Sequence, residues 1–113
     1  MTKDLEQRTK EFSLDLIKFT AVLPRTREAD ILGRQLLRSG TSIGANYREA
    51  NRGVSRADFS NKIGTVQKEA SETQYWLELF MESDFCRHRP VDLHREASEL
   101  LAIFTTIGKT LKR

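Results

Sequence analysis

Arg89 and His94 stand in an Arg-x4-His spacing. Histidine can give and take a proton near neutral pH, and a guanidinium can stabilise a phosphorane, so the pair has the chemistry of phosphodiester cleavage. A two-residue pattern also arises often by chance, and His94 reads equally as an ordinary surface histidine. Glu69 and Glu72 share a helix face and have the charge for a di-metal carboxylate centre. Such a centre needs carboxylates on all four helices and Glu-x-x-His pairs, and no Glu-x-x-His occurs in the chain. His88 and His94 fall in or beside a loop. Cys86 is the single cysteine, which excludes an internal disulfide and a zinc site built from several cysteines. No helix-borne catalytic partner stands near it, and it reads as a buried or loop thiol. Gly40 and Gly44 lie in mid-helix rather than after a strand, so they do not form a phosphate-cradling loop. The sequence therefore assigns no catalytic residue, no metal site and no cofactor, and the chain is expected not to be an enzyme.

Charge offers a different chemistry. Lys and Arg number 19 against 16 Asp and Glu, a net charge of +3. Arg34, Arg38, Arg48, Arg52, Arg56 and Lys62 cluster around the turn between the second and third helical segments. They are the candidate nucleic-acid-binding residues, and binding through them would be salt-sensitive because each phosphate neutralised releases counterions. Aromatic interleaving for base stacking is poor, and no sequence-reading motif is present. The alternative is a solvated helix face with Glu49 and Asp58 balancing the arginines. In that case Arg38, Arg48 and Arg52 are consumed in salt bridges to Glu49, Glu69 and Glu72.

The elements that must position these residues are helices. Leu5, Thr9, Phe12, Leu16, Phe19 and Leu23 step by three and four, with Thr9 the only lapse. Ala29, Leu32, Leu36, Ile43, Tyr47, Ala50 and Val54 make a second stripe. Phe59, Ile63, Val66, Ala70, Thr73, Leu77 and Phe80 make a third, and Leu93, Ala97, Leu100, Phe104, Ile107 and Leu111 a fourth. Strand alternation is absent, and four stripes in 113 residues predict helices around one shared core. Pro24 ends the first helix, and Thr26 is placed to cap the second, with Glu28 and Asp30 in its first turn. Gly53 is expected to close the second helix in the left-handed conformation. Ser55 to Asp58 resembles a capping box, with Val54 and Phe59 as its hydrophobic staple. The third helix is expected to reach about Asp84, Ser83 to Arg89 to form a loop, and Pro90 to sit in the first turn of the fourth helix. Short loops make neighbours antiparallel. The expectation is an all-α, antiparallel up-and-down four-helix bundle, one domain over residues 1–113.

Some residues exceed what a lone bundle needs. Leu14, Ile17 and Ala21 lie opposite the core stripe of the first helix, and Tyr75 and Leu79 point away from that of the third. They are the candidate oligomer interface. In the second helix Gly33, Gly40 and Gly44 share a face, which lets another helix approach closely. Ser39, Ser42 and Asn46 would then need partners, and Glu69 and Glu72 on the third helix are the candidates for a structural polar network. The N-terminus has no signal-like apolar region, and no apolar run approaches the ~18 residues of a membrane span. A cytoplasmic protein with no membrane partner is expected.

The run Leu36-Leu37-Arg38-Ser39-Gly40-Thr41-Ser42-Ile43-Gly44-Ala45-Asn46-Tyr47-Arg48-Glu49-Ala50 resembles the signature of a bacterial family. So do Asp58 to Lys62 and Lys68 to Leu79. The family is the four helix bundle protein group, encoded in intervening sequences of bacterial large-subunit ribosomal RNA genes and elsewhere. The accessory variability protein of diversity-generating retroelements is a relative. Two separated motifs in the right order carry the resemblance over nearly the whole chain. Other branches place Asn-Ile-Ala-Glu-Gly where this chain has Asn46 to Ala50. The resemblance implies an antiparallel bundle, a homopentameric ring and no established enzymatic activity. The retroelement relatives bind nucleic acid and a reverse transcriptase, so RNA, DNA or a nucleic-acid-processing protein are the partners it implies, beside self-association. Two functions remain open: an oligomeric scaffold binding nucleic acid or a nucleic-acid enzyme, and a protein-interaction bundle without nucleic-acid affinity. The Arg-x4-His spacing is also that of the HEPN ribonucleases, small helical bundles themselves, which usually have a polar residue where this chain has Pro90.

Overall fold

Local signals set several of the helix ends. The computed structural model describes residues 2–84 and 86–112 and contains α1 (Thr2–Ala21), α2 (Arg27–Ala50), α3 (Arg56–Glu82) and α4 (Val91–Leu111). After α1 the Val22 and Leu23 amides bond back to the Phe19 and Thr20 carbonyls at 3.4 and 3.3 Å. Pro24 then offers no amide to continue. Thr26 caps α2, its Oγ1 accepting the Ala29 amide at 3.1 Å, and Ser55 caps α3 by accepting the Asp58 amide at 3.1 Å. Both hydroxyls satisfy donors that a helix start leaves orphaned.

The expected closures differ in detail. Gly53 is not left-handed, since no described residue has a positive φ. α2 stops instead at Asn51, whose amide reaches the Tyr47 carbonyl at 3.1 Å, and the Gly53 amide turns back onto Ala50 at 3.1 Å. The staple is not formed either: Val54 is 94% exposed and covers nothing. α3 ends at Glu82, two residues short of Asp84, and Pro90 takes the N-cap position before Val91. Phe85, within the loop after α3, lies outside the described residues.

Helices adjacent in sequence pack against each other, and α4 returns beside α1 along the more open seam. α1 and α3 therefore occupy diagonal corners. The arrangement is the antiparallel up-and-down bundle, 44 Å long and 22 × 21 Å across. Its length matches the 27 residues of α3 at about 1.5 Å each.

The four stripes meet in the core. Phe12 and Leu16 come from α1; Leu36, Ile43 and Tyr47 from α2; Ile63, Val66, Leu77 and Phe80 from α3; Leu100 and Phe104 from α4. Phe19 meets Phe80 edge-on with centroids 5.4 Å apart, and Tyr47 meets Phe104 at 5.2 Å. Such pairs contribute about 0.5–1.5 kcal/mol beyond burial. Thr9, the lapse in the first stripe, is fully buried and turns its hydroxyl onto the Leu5 carbonyl at 2.9 Å.

Two glycines set the distance between α1 and α2. A Cβ at Gly40 would stand 2.0 Å from Leu16 Cδ1, and one at Gly44 3.2 Å from Thr9 Oγ1. Leu16 is fully buried, so it has nowhere to retreat. Gly64 is the opposite case, an exposed position in α3 with nothing within 4 Å of an added Cβ. Gly40→Ala is expected to lower stability by about 1–3 kcal/mol through overpacking. Gly64→Ala is expected to raise it by up to about 1 kcal/mol through helix propensity. Thermal denaturation followed by circular dichroism checks both, and an unchanged melting temperature for Gly40→Ala would contradict the close approach.

Candidate functional site

The polar centre of α2 faces α3. Ser39 is fully buried; its Oγ donates to the Leu36 carbonyl at 3.3 Å and lies 2.9 Å from Thr73 Oγ1. Thr73 Oγ1 also lies 2.7 Å from the Glu69 carbonyl, so its single proton serves one acceptor at a time. At the rim of this seam Arg38 bridges Glu69 and Glu72, with Nη1 3.6 Å from Glu69 Oε2 and Nη2 bonded to Glu72 Oε1. Trp76 Nε1 donates to the same Glu72 oxygen at 3.3 Å. Ser42 and Asn46 do not join them: Ser42 donates to the Arg38 carbonyl and Asn46 to the Ser42 carbonyl, both at 2.8 Å. The network is thus Ser39 with Thr73 inside, and Arg38 with Glu69 and Glu72 at the edge. Sequence reasoning named Thr73 only as a stripe position. A hydroxyl in an apolar stripe signals a hydrogen bond to be found.

The basic cluster is largely neutralised. Arg34 Nη2 lies 3.0 Å from Asp30, Lys62 Nζ 2.9 Å from Glu49 and Arg48 Nε 3.9 Å from Glu6. With Arg38, four of the six candidate cations face a carboxylate. Exposed pairs of this kind stabilise a fold by only about 0–1 kcal/mol. Their consequence is electrostatic: a cation beside an anion projects little field toward a distant phosphate. Arg52 and Arg56 differ, donating to the Arg48 and Leu111 carbonyls at 3.1 and 3.2 Å. Those carbonyls lie at the C-terminal ends of α2 and α4, where the helix dipole favours a cation. A further arginine escaped the sequence reading. Arg8 on α1 grips Glu96 on α4 with two bonds of 2.7 Å and reaches Glu99 at 2.8 Å. The Glu96 bonds hold its guanidinium above the ordinary arginine range, and the clamp spans the open seam.

Apolar residues do face outward. Leu14 and Ile17 on α1 are 48% and 47% exposed, and Tyr75 on α3 is 53% exposed. Ala21 is exposed and Leu79 half-buried. Because α1 and α3 are diagonal, these residues form two separate faces. Tyr75 rests against the half-buried Trp76, with ring centroids 5.2 Å apart.

The residues considered for catalysis are not assembled. His94 Nε2 is enclosed, makes no hydrogen bond and points toward Glu78 Oε2 at 3.6 Å, while Arg89 is exposed. No group of three or more His, Cys, Asp or Glu that could hold a metal ion occurs among the described residues.

These features define a class: an antiparallel four-helix bundle whose seams are crossed by hydrogen bonds and ion pairs. The chain belongs to the 23S rRNA-intervening sequence protein family, whose profile matches residues 2–109. It is similar to a crystal structure of a protein of unknown function from the S23 ribosomal protein family of Bacteroides thetaiotaomicron. The two are 35% identical and superpose with a TM-score of 0.85, covering 96% of this chain and 99% of that one. No curated protein matches the chain. Neither the family's description nor that structure's indicates an enzymatic activity. No helix among the described residues is long and apolar enough to cross a membrane.

Cys86 is buried, and its thiol contacts the His88 carbonyl at 3.1 Å. Burial pushes its pKa up, because a thiolate is poorly solvated there. The unfolded chain therefore loses this proton first. The stability that the protonated thiol contributes is present below the ordinary thiol pKa and lost as pH rises through it toward the raised value. Iodoacetamide is expected to alkylate the native protein more slowly than the urea-unfolded chain, with the native rate rising at higher pH. Equal rates would show that the thiol is not enclosed.

Proposed function

We propose that this chain is a non-enzymatic, homo-oligomeric bundle of the cytoplasm that works through protein–protein contacts. The observation that carries this reading is a contrast. Arg34, Arg38, Arg48 and Lys62 are paired with carboxylates, whereas Leu14, Ile17 and Tyr75 stay open to solvent on two diagonal helices. Two different faces on one subunit suit a head-to-tail contact, which a rotation closes into a ring. A pentamer is the ring that the family resemblance implies. In this reading Ala21 and Leu79 flank the contact.

A second reading, nucleic-acid binding, is favoured by Arg52 and Arg56, which bond to backbone carbonyls and leave their charge unmatched by a carboxylate. A ring would repeat them around its circumference. RNA, DNA or a nucleic-acid-processing protein are the partners of that reading.

Ile17→Asp is expected to lower the oligomer mass measured by light scattering while leaving helicity intact, and an unchanged mass would sink the interface. Against a labelled structured RNA and a duplex DNA, the expected outcome is weak binding that disappears as salt rises toward physiological strength. Tight binding with a steep negative log–log salt slope would favour the second reading instead, the slope counting the phosphates engaged.

A further inference from the structure

We propose that the end of the bundle formed by the α1–α2 and α3–α4 connections is a docking surface for an acidic protein segment that also carries aliphatic side chains. This rests on the reading above that the bundle works through protein contacts. It concerns a different part of the molecule from the outward faces of α1 and α3.

The first observation is where arginines lack partners. Arg8, Arg34, Arg38, Arg48 and Arg95 each face a carboxylate, and Arg52 and Arg56 donate to carbonyls. Among the described residues the guanidinium groups of Arg25, Arg27, Arg87 and Arg89 have neither. All four are exposed, and all four lie in, or directly beside, the two connections at one end of the bundle. A guanidinium is a rigid fork of donors that matches a carboxylate bidentately, so four unused forks together suit a carboxylate-bearing ligand.

The second observation is apolar exposure at the same end. Val22 is 78% exposed in the first connection, Ile31 53% one turn into α2, and Val91 45% at the start of α4. Valine and isoleucine offer contact to aliphatic side chains and nothing to a phosphate. The third is that the platform is fixed from below. Phe19 and Phe80, near the ends of α1 and α3, meet edge to face, and Cys86 and Pro90 of the second connection are themselves buried.

The partner's chemistry follows from the mixture. Glu28, Glu82 and Asp84 are exposed at this end and make no ion pair with the arginines. A nucleic-acid backbone, with a phosphate at every step, would meet these carboxylates as well as the cations. A peptide places its few carboxylates selectively and fills the spaces between with aliphatic groups. Electrostatic complementarity of this kind selects partners more than it raises raw affinity.

The test uses the full chain. A phage-displayed library of random linear peptides is panned against it, and an enriched peptide is synthesised and titrated by fluorescence anisotropy. The expected peptides combine Asp or Glu with Leu, Ile or Val. The double substitution Arg25→Glu, Arg89→Glu is expected to weaken them about tenfold or more, and Arg52→Glu, Arg56→Glu to leave them unchanged. Circular dichroism verifies that each variant is folded, and the wild-type affinity should fall with salt. No enrichment, peptides without acidic residues, or indifference to Arg25→Glu, Arg89→Glu would each overturn the inference. Peptides displaced only by Ile17→Asp would overturn it while leaving the protein-interaction function standing. A labelled RNA bound more tightly through Arg25 and Arg89 would overturn both.

Discussion

The turn of α2 at Ser39 and Gly40 is wedged between two helices at once. A Cβ at Gly40 would collide with Leu16 of α1 and come within 3.6 Å of Thr73 Cγ2 on α3. Ser39, the residue before it, bonds to the same Thr73. The axial register of three helices is therefore decided within two residues. Gly33 against Leu23 and Gly44 against Thr9 repeat the contact above and below, with an added Cβ at Gly33 coming within 3.0 Å of Leu23 Cδ1. Close approach needs a missing side chain on one helix, and the accompanying polar groups must then be satisfied without water. Glycine and hydroxyl residues at the centre of α2 are two sides of one solution.

That solution governs the electrostatics. Where helices lie close, long charged side chains from adjacent rims come within reach of each other. Arg38 meets Glu69 and Glu72 and Arg48 meets Glu6, while Arg8 has to reach across the more open α1–α4 seam to Glu96 and Glu99. In and beside the Pro24 and Pro90 connections, Arg25, Arg27, Arg87 and Arg89 stay unmatched. The arginines are thus unevenly used: five along the helices meet carboxylates, and four in or beside these connections do not. Composition cannot express this distinction, because it depends on which cations have neighbours.

The parts legible in the sequence were those set by local periodicity. The four stripes, the Thr26 and Ser55 caps and the stop before Pro24 each depend on residues within a few positions of one another. The helix closure at Gly53 and the Val54 staple are also local patterns, but more than one conformation satisfies them. α2 closes on Asn51 because its amide finds Tyr47 and its side chain finds Glu6 on α1 at 2.8 Å. Partners across helices were less legible. Glu69 and Glu72 were expected to partner Ser39, Ser42 and Asn46 or, in the alternative, Arg38, Arg48 and Arg52; of these six, Arg38 is the one they meet. Arg48 with Glu6, and Arg8 with Glu96, depend on how far each helix is rotated and slid against a distant one. No short-range pattern encodes that.

The similar structure from Bacteroides thetaiotaomicron sharpens the point about function. It overlays nearly the whole of both chains while only 35% of positions are identical. Cores tolerate wide hydrophobic exchange when volume and pattern are kept. A bundle held by stripes and small residues can therefore keep its shape while most of its surface changes. What distinguishes one member from another must lie in the residues that the bundle does not need: the outward faces of α1 and α3, and the arginines at the connections. In this chain those are also the positions where exposed apolar groups and unmatched guanidinium groups remain after the fold's own requirements are met.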